Sequence, residues 1–213
     1  MAKLKYGIFG PISGKIGPIV GATWMGVPYI RKAPEIKAIP DPRSTKQIAN
    51  EQKMKFTNIL LAPFHHYMSI GFQNLAIRKT AISAAYSVNF HQAITGVHPD
   101  LGVDYSKMVM SVGVLPGIMD PVITLIAPDT IELTWQKNTN PKASHDDQLM
   151  LVLYCPELKI ADGFSGGKQR ALMHCRFQFN PHLKGKILEV YLGVTSFNRK
   201  KIANSIYLGR IEP

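Results

Sequence analysis

Thr130-Ile131-Glu132-Leu133-Thr134-Trp135-Gln136 alternates polar and apolar side chains without a break. Successive side chains of a strand point to opposite faces, so Ile131, Leu133 and Trp135 share one face. This is how a strand half-buried against a core reads. Similar short runs recur at 107–114, 122–126, 148–154, 172–179, 187–196 and 205–211. Arg176-Phe177-Gln178-Phe179 repeats the alternation with aromatics. The polar segment 138–147 and the glycine-rich segment 162–167 read as loops between them. Seven short strands with polar turns predict a β-sandwich of the immunoglobulin or fibronectin type III kind over 97–213, with Trp135 in its core.

Upstream the period changes from two to about 3.6, and residues 44–96 read as helical. Ser44-x-x-Gln47 is a capping-box pattern, in which side chains satisfy free N–H groups of the first turn. Pro63 cannot donate to residue 59 and should kink or end the first helix. A second helical stretch is expected from about 64 to 72, and a third from about 75 to Gly96.

The first 33 residues, MAKLKYGIFGPISGKIGPIVGATWMGVPYIRKA, follow neither pattern. Gly10-Pro11-Ile12-Ser13-Gly14 is echoed by Gly17-Pro18-Ile19-Val20-Gly21. So much Gly and Pro makes a poor helix. Residues 20–24 and 27–31 flank Met25-Gly26 and read as a β-hairpin, with Pro28 confining its strand to an edge or an irregularity. The segment 33–42, with Pro34, Pro40 and Pro42, reads as an extended connector. The expected class is α+β, in three parts: a Gly/Pro-rich arm and hairpin (1–43), a helical segment (44–96) and the sandwich (97–213).

The arm carries apolar side chains but cannot build a core alone. Ile8, Phe9, Ile12, Ile16, Ile19, Trp24 and Tyr29 are therefore candidates for packing on a second copy of the chain. Charge suggests an alternative. The net charge is +11, and residues 1–60 hold ten Lys and Arg against Glu35, Asp41 and Glu51. A basic surplus of this size fits a polyanion or an acidic neighbour. Lys3, Lys5, Lys15, Arg31 and Lys32 interleave with Tyr6, Trp24 and Tyr29, as in a platform for single-stranded nucleic acid. A basic hairpin anchored by its own aromatics gives the same pattern.

No constellation for chemistry emerges. Gly10-Pro-Ile-Ser-Gly14-Lys15 has three residues between its glycines and Ile16 after the lysine, where a phosphate-binding loop needs four and then Ser or Thr. His65 and His66 point about 100° apart on a helix and cannot share a metal from one face. His145-Asp146-Asp147 reads as a solvated turn rather than a cation site. Arg199-Lys200-Lys201 reads as a charged hairpin turn. Cys155 and Cys175 sit in apolar runs and read as buried thiols. We expect no catalytic, metal or cofactor site, and hence no enzyme. No segment reaches the ~20 apolar residues of a membrane-spanning helix. The glycine-broken start is a poor signal peptide, so the expected location is the cytoplasm, or outside it by a route without a conventional signal.

The segments GIFGPISGKIGPIVGATWMGVPYIRKAP, the Pro-x-Ser/Thr-x-x-Gln helix start with Lys55-Phe56, and Asn204-Ser205-Ile206-Tyr207-Leu208-Gly209 together resemble an uncharacterised protein family, a domain of unknown function, common in Bacteroidota. The similarity spans essentially the whole chain. Family members often carry Lys where this chain has Met25 and Arg where it has Lys53. The resemblance implies the layout and a bacterial source. A looser likeness of the Gly-rich, Tyr-Ile-Arg and Gln-Phe pattern to small phage-associated proteins implies an assembly role. The two functional expectations are a self-associating structural protein and a basic nucleic-acid-binding protein.

Overall fold

Met25 and Gly26 both take positive φ, 48° and 82°, as a two-residue type I′ hairpin turn requires. This turn lies in a computed structural model that describes residues 3–4, 10–35 and 42–212. The chain divides into two compact units, Met1–Ser44 and Thr45–Pro213. The first is an antiparallel sheet of β1 (Lys3–Leu4), β2 (Ile12–Ile16), β3 (Ile19–Trp24) and β4 (Val27–Lys32), in that order. The expected hairpin is β3–β4, in register from Trp24↔Val27 to Ile19↔Lys32. β4 is an edge, so the missing N–H of Pro28 costs the sheet no internal bond. The echo Gly17-Pro18 is the second tight turn, between β2 and β3.

The second unit opens with α1 (Thr45–Leu61). It ends where expected: Pro63 sits in a 3₁₀ turn, Ala62–Phe64, that leads into α2 (His65–Gly71). α3 (Ala81–Gln92) is shorter than its apolar pattern. Arg78 at φ 55° breaks the chain before it, and Thr80 Oγ1 caps it by accepting the Ser83 N–H at 3.0 Å. The stretch read as its last turn instead enters a small hairpin, β5 (Ile94–Val97) and β6 (Asp100–Val103).

The remaining strands are β7 (Met119–Ala127), β8 (Thr130–Gln136), β9 (Gln148–Cys155), β10 (Ile160–Gln169), β11 (His174–Gln178), β12 (Leu188–Thr195) and β13 (Ile206–Ile211). They form two antiparallel sheets, β11-β8-β7 and β10-β9-β12-β13. The α+β class is therefore as expected. Two elements differ from the sequence reading. The run 107–114 is no strand: it follows a 3₁₀ turn, and its backbone bonds to side chains and distant loops instead of a ladder. The glycine-rich run 162–167 is not a loop but part of β10. Gly163, at φ 146°, stands where a Cβ would meet the Leu151 carbonyl oxygen at 2.1 Å, so the close strand approach needs glycine.

The four-stranded sheet is covered on both faces. Leu149, Leu151 and Leu153 of β9 and Val190 and Leu192 of β12 share one core with Ile131, Leu133 and Trp135 of β8. Met150, Val152, Tyr154 and Tyr191 share the other with Phe64, Met68, Phe72 and Ala85 of the helical segment. This explains the unbroken apolar run of β9: a strand buried on both sides has no face for polar residues. The helical segment 44–96 and the β-rich segment 97–213, read apart in the sequence, thus share one core inside the second unit.

Asn89, fully buried on α3, ties the irregular run to the helices. Its side chain donates to Ala85 O and Val109 O and accepts the Val109 N–H, at 3.0, 2.9 and 2.9 Å. Asn89→Leu should leave both Val109 backbone groups unpaired in the core and cost about 2–3 kcal/mol. Urea unfolding should show a lower midpoint at unchanged slope; an unchanged midpoint would mean that Val109 finds other partners.

Candidate self-association surface

In the N-terminal sheet, cross-strand partners lie on the same face and alternate along each strand. The register places Trp24 with Val27, Ala22 with Tyr29, and Val20 with Lys15 and Arg31 on one face. The other holds Ile16, Ile19 and Lys32, then Gly14, Gly21 and Ile30, then Thr23 and Pro28. The residues expected for self-association are thus split: Trp24 and Tyr29 lie on one face, Ile16 and Ile19 on the other. Ile12 is half-buried at the start of β2. Ile8 and Phe9 lie outside the described residues. Of the basic set, Lys15 and Arg31 share the aromatic face, and Lys3 lies one strand further out, opposite Ser13. Lys32 lies on the isoleucine face, where Glu35 binds it. Lys5 lies outside the described residues.

Neither face is buried. Trp24 is 56% exposed and Ile30 61%, and Ile16, Ile19, Met25, Val27 and Tyr29 are exposed as well. Among the described residues of this unit only Gly21 is buried. Sequence reasoning missed Val27 and Ile30, because the register that groups them with the others depends on the turn at Met25-Gly26.

The second unit carries chemistry-bearing groups of another kind. Asp147, expected in a solvated turn, is buried. It accepts the Ser144 N–H at 3.0 Å and pairs with buried Arg170 at 3.1 Å. The Arg170 guanidinium also donates to Gly117 O and Pro116 O, at 2.9 and 2.6 Å. Burial pushes the Asp147 carboxyl up, against the pull of the Ser144 N–H and Arg170, and pushes Arg170 down. On β12, buried Glu189 accepts the Tyr207 hydroxyl at 2.5 Å and both Arg210 Nε and Nη2, at 3.0 and 2.9 Å. Burial, with Glu189 beside it, raises Tyr207 to about 12. These charges are paired, and among the described residues Arg170 Nε is the one buried side-chain polar atom without a hydrogen-bond partner.

His66 Nε2 and Ser165 Oγ lie 3.0 Å apart, joined across 99 residues that no sequence spacing connects. Ser165 lies on the edge strand β10 and His66 on α2, and among the described residues no carboxylate orients the imidazole. Nucleophilic catalysis depends on such a third group to hold the base. Among the described residues no group of three or more His, Cys, Asp and Glu is arranged to hold a metal ion. Both cysteines are buried free thiols. No described helix is long and apolar enough to cross a membrane.

A search of curated proteins finds no match to the chain. A family model does match it, from residue 11 to residue 209, and so covers nearly every element described above. The chain belongs to that family, the family of unknown function DUF6266.

Proposed function

We propose that this is a non-enzymatic structural protein that assembles with copies of itself, the N-terminal sheet of one subunit packing on a neighbour. The observation that carries the reading is a sheet with large apolar side chains exposed on both faces and, among its described residues, a single buried one, Gly21. Exposed apolar patches of this kind mark interaction sites. β4 adds an open edge with all six residues exposed. Its main chain can extend a neighbour's sheet while alternate side chains select the partner. If donor and acceptor surfaces point in different directions, the contact is heterologous and generates rings or open filaments. We read the seven-stranded part as an immunoglobulin-like or fibronectin type III-like sandwich. Strands β7, β8 and β11 take the places of A, B and E, and β9, β12 and β13 those of C, F and G, with β10 beside C. On this reading the protein is bacterial, of Bacteroidota type, and acts in the cytoplasm or is exported without a conventional signal peptide.

Light scattering after size exclusion tests the proposal. The full chain should form assemblies that dissociate on dilution. Trp24→Ala and Tyr29→Ala should each raise the dissociation constant by about thirtyfold, as loss of a buried aromatic anchor does. The melting temperature of the second unit should not move. A full chain that stays monomeric at every concentration would sink the reading.

A second reading is favoured by one observation. Lys15 and Arg31 share a face with Tyr29 and Trp24, which suits bases stacked beside a contacted backbone. In that reading the arm belongs to a basic, phage-associated nucleic-acid-binding protein. Lys15→Gln with Arg31→Gln should then flatten the salt dependence of binding.

A further inference from the structure

Three loops meet at one end of the sandwich: 137–147 after β8, 170–173 after β10 and 196–205 after β12. The first two are bonded to each other. Arg170 N donates to Asp147 O at 2.7 Å and Ala171 N to His145 O at 3.2 Å, beside the Asp147–Arg170 ion pair. Two clefts open between them. One, of about 330 Å³, is bordered by Lys142, Asp146, Phe197, Asn198, Lys200 and Lys201. The other, of about 350 Å³, is bordered by Lys137, Asn138, His145 and Arg170, with Ser144 on the border of both.

The charges here are one-sided. Lys137, Lys142, Lys200 and Lys201 are exposed, and among the described residues none has an ion-pair partner. Two acids, Asp146 and the buried Asp147, border the first cleft with Lys142, Lys200 and Lys201; Asp147 is bonded to Arg170 and also feels the charge of Lys201. Phe197 stands among these lysines, 69% exposed. The turn that presents it is held at several points. Ser196 N donates to Lys201 O at 2.8 Å, Lys200 N to Asn198 Oδ1 at 3.0 Å, and Lys201 N to Ser196 Oγ at 2.9 Å. A rigid turn that holds a bare aromatic ring in water and unpaired lysines around it is a surface prepared for a partner.

We propose that this loop end binds single-stranded nucleic acid, with Phe197 stacking on a base and Lys142, Lys200 and Lys201 contacting phosphates. Cations supply backbone affinity, and an exposed ring supplies a sequence-tolerant stack. The Ser144 hydroxyl and the Asn198 amide NH2 offer hydrogen bonds to base edges at the cleft borders. An anionic bilayer fits less well, because the ring's sequence neighbours, Ser196 and Asn198, are polar and give no apolar tip to insert. The proposal is independent of self-association, and it puts the nucleic-acid contact on the second unit and not on the arm.

The test uses the full chain and a fluorescent oligo-dT strand of about 20 nucleotides, with anisotropy read at several salt concentrations. Binding should weaken steeply with salt. K142Q/K200Q/K201Q should reduce the slope of log affinity against log salt by about 2, from about 0.7 per phosphate contact on a single strand. F197A should weaken binding roughly tenfold with the slope unchanged, as loss of one stack does. K15Q/R31Q should leave both quantities in place. The changed side chains are exposed, and unchanged melting curves will verify the folds. The proposal is overturned by absence of binding at low salt, or by loss of binding in K15Q/R31Q with the loop variants unaffected. It is equally overturned by capture on phosphatidylserine vesicles without oligonucleotide binding, or by an F197A protein that binds like the parent.

Discussion

Arg170→Ala is expected to lower the unfolding free energy of the second unit by about 3–5 kcal/mol, the usual result of removing one member of a buried ion pair. The substitution leaves the buried Asp147 carboxyl without its paired cation. It also leaves Gly117 O and Pro116 O without the guanidinium donors. The loss should depend on pH. Burial already holds Asp147 above the usual carboxylate range, and removing Arg170 takes away a group that pulls it down. A carboxyl raised in the folded state contributes its stability below its unfolded value of about 3.9 and loses it as pH rises through the folded value. The variant should therefore be least damaged near pH ~4 and progressively more damaged toward pH ~7. Denaturant melts of parent and variant at both pH values measure this. A penalty independent of pH would show that Asp147 is solvated once its partner is gone.

Trp135→Ala should cost about 3–5 kcal/mol as well, by a different route. Trp135 is buried in line with Ile131 and Leu133, and its indole N–H donates to Arg170 O at 2.8 Å. The truncation opens a cavity between the two sheets and leaves the Arg170 carbonyl with only the long Met173 N–H bond, at 3.4 Å. Because ring and guanidinium belong to one network, the double variant should lose less than the sum of the two single losses. Thermal melts of the two single variants and the double variant decide it. Strict additivity would mean that the loop 170–173 relaxes independently of the core beneath it.

What the sequence could reveal depended on how local each cause is. The β3–β4 hairpin was legible because Met25-Gly26 specifies its own turn. β8 was legible because its alternation needs no knowledge of the neighbour. β9 could be read as a strand, but that its second face meets helices depends on α2 and α3 arriving there. β10 was hidden because Gly163, Gly166 and Gly167 signal turns, while their use is a close approach to β9 and a bulged edge. The run 107–114 was misread because its backbone partners, Asn89 and Ser205, lie far off in sequence. The candidate surface was half legible. The apolar and basic residues of the arm stand out in composition, but which of them share a face is fixed by strand register. The Asp147–Arg170 pair spans 23 residues with nothing in the sequence to link its ends, so Asp147 looked like one more surface acid.

The sheet clad on both sides limits where this chain can be cut. β9 and β12 give one set of side chains to the sandwich and the alternate set to the helices. A fragment beginning at residue 97 would uncover Met150, Val152, Tyr154 and Tyr191 to water, and one ending there would leave Phe64, Met68 and Phe72 with nothing to lie against. Helices and sandwich should therefore melt in a single transition. The amides of β9 and β12 should exchange with deuterium only when the whole of residues 45–213 opens, later than those of the outer strand β7. For anyone dissecting the protein, the smallest piece worth expressing begins near Thr45, and the boundary between the helical and β-rich parts of the sequence is the wrong place for a scissor.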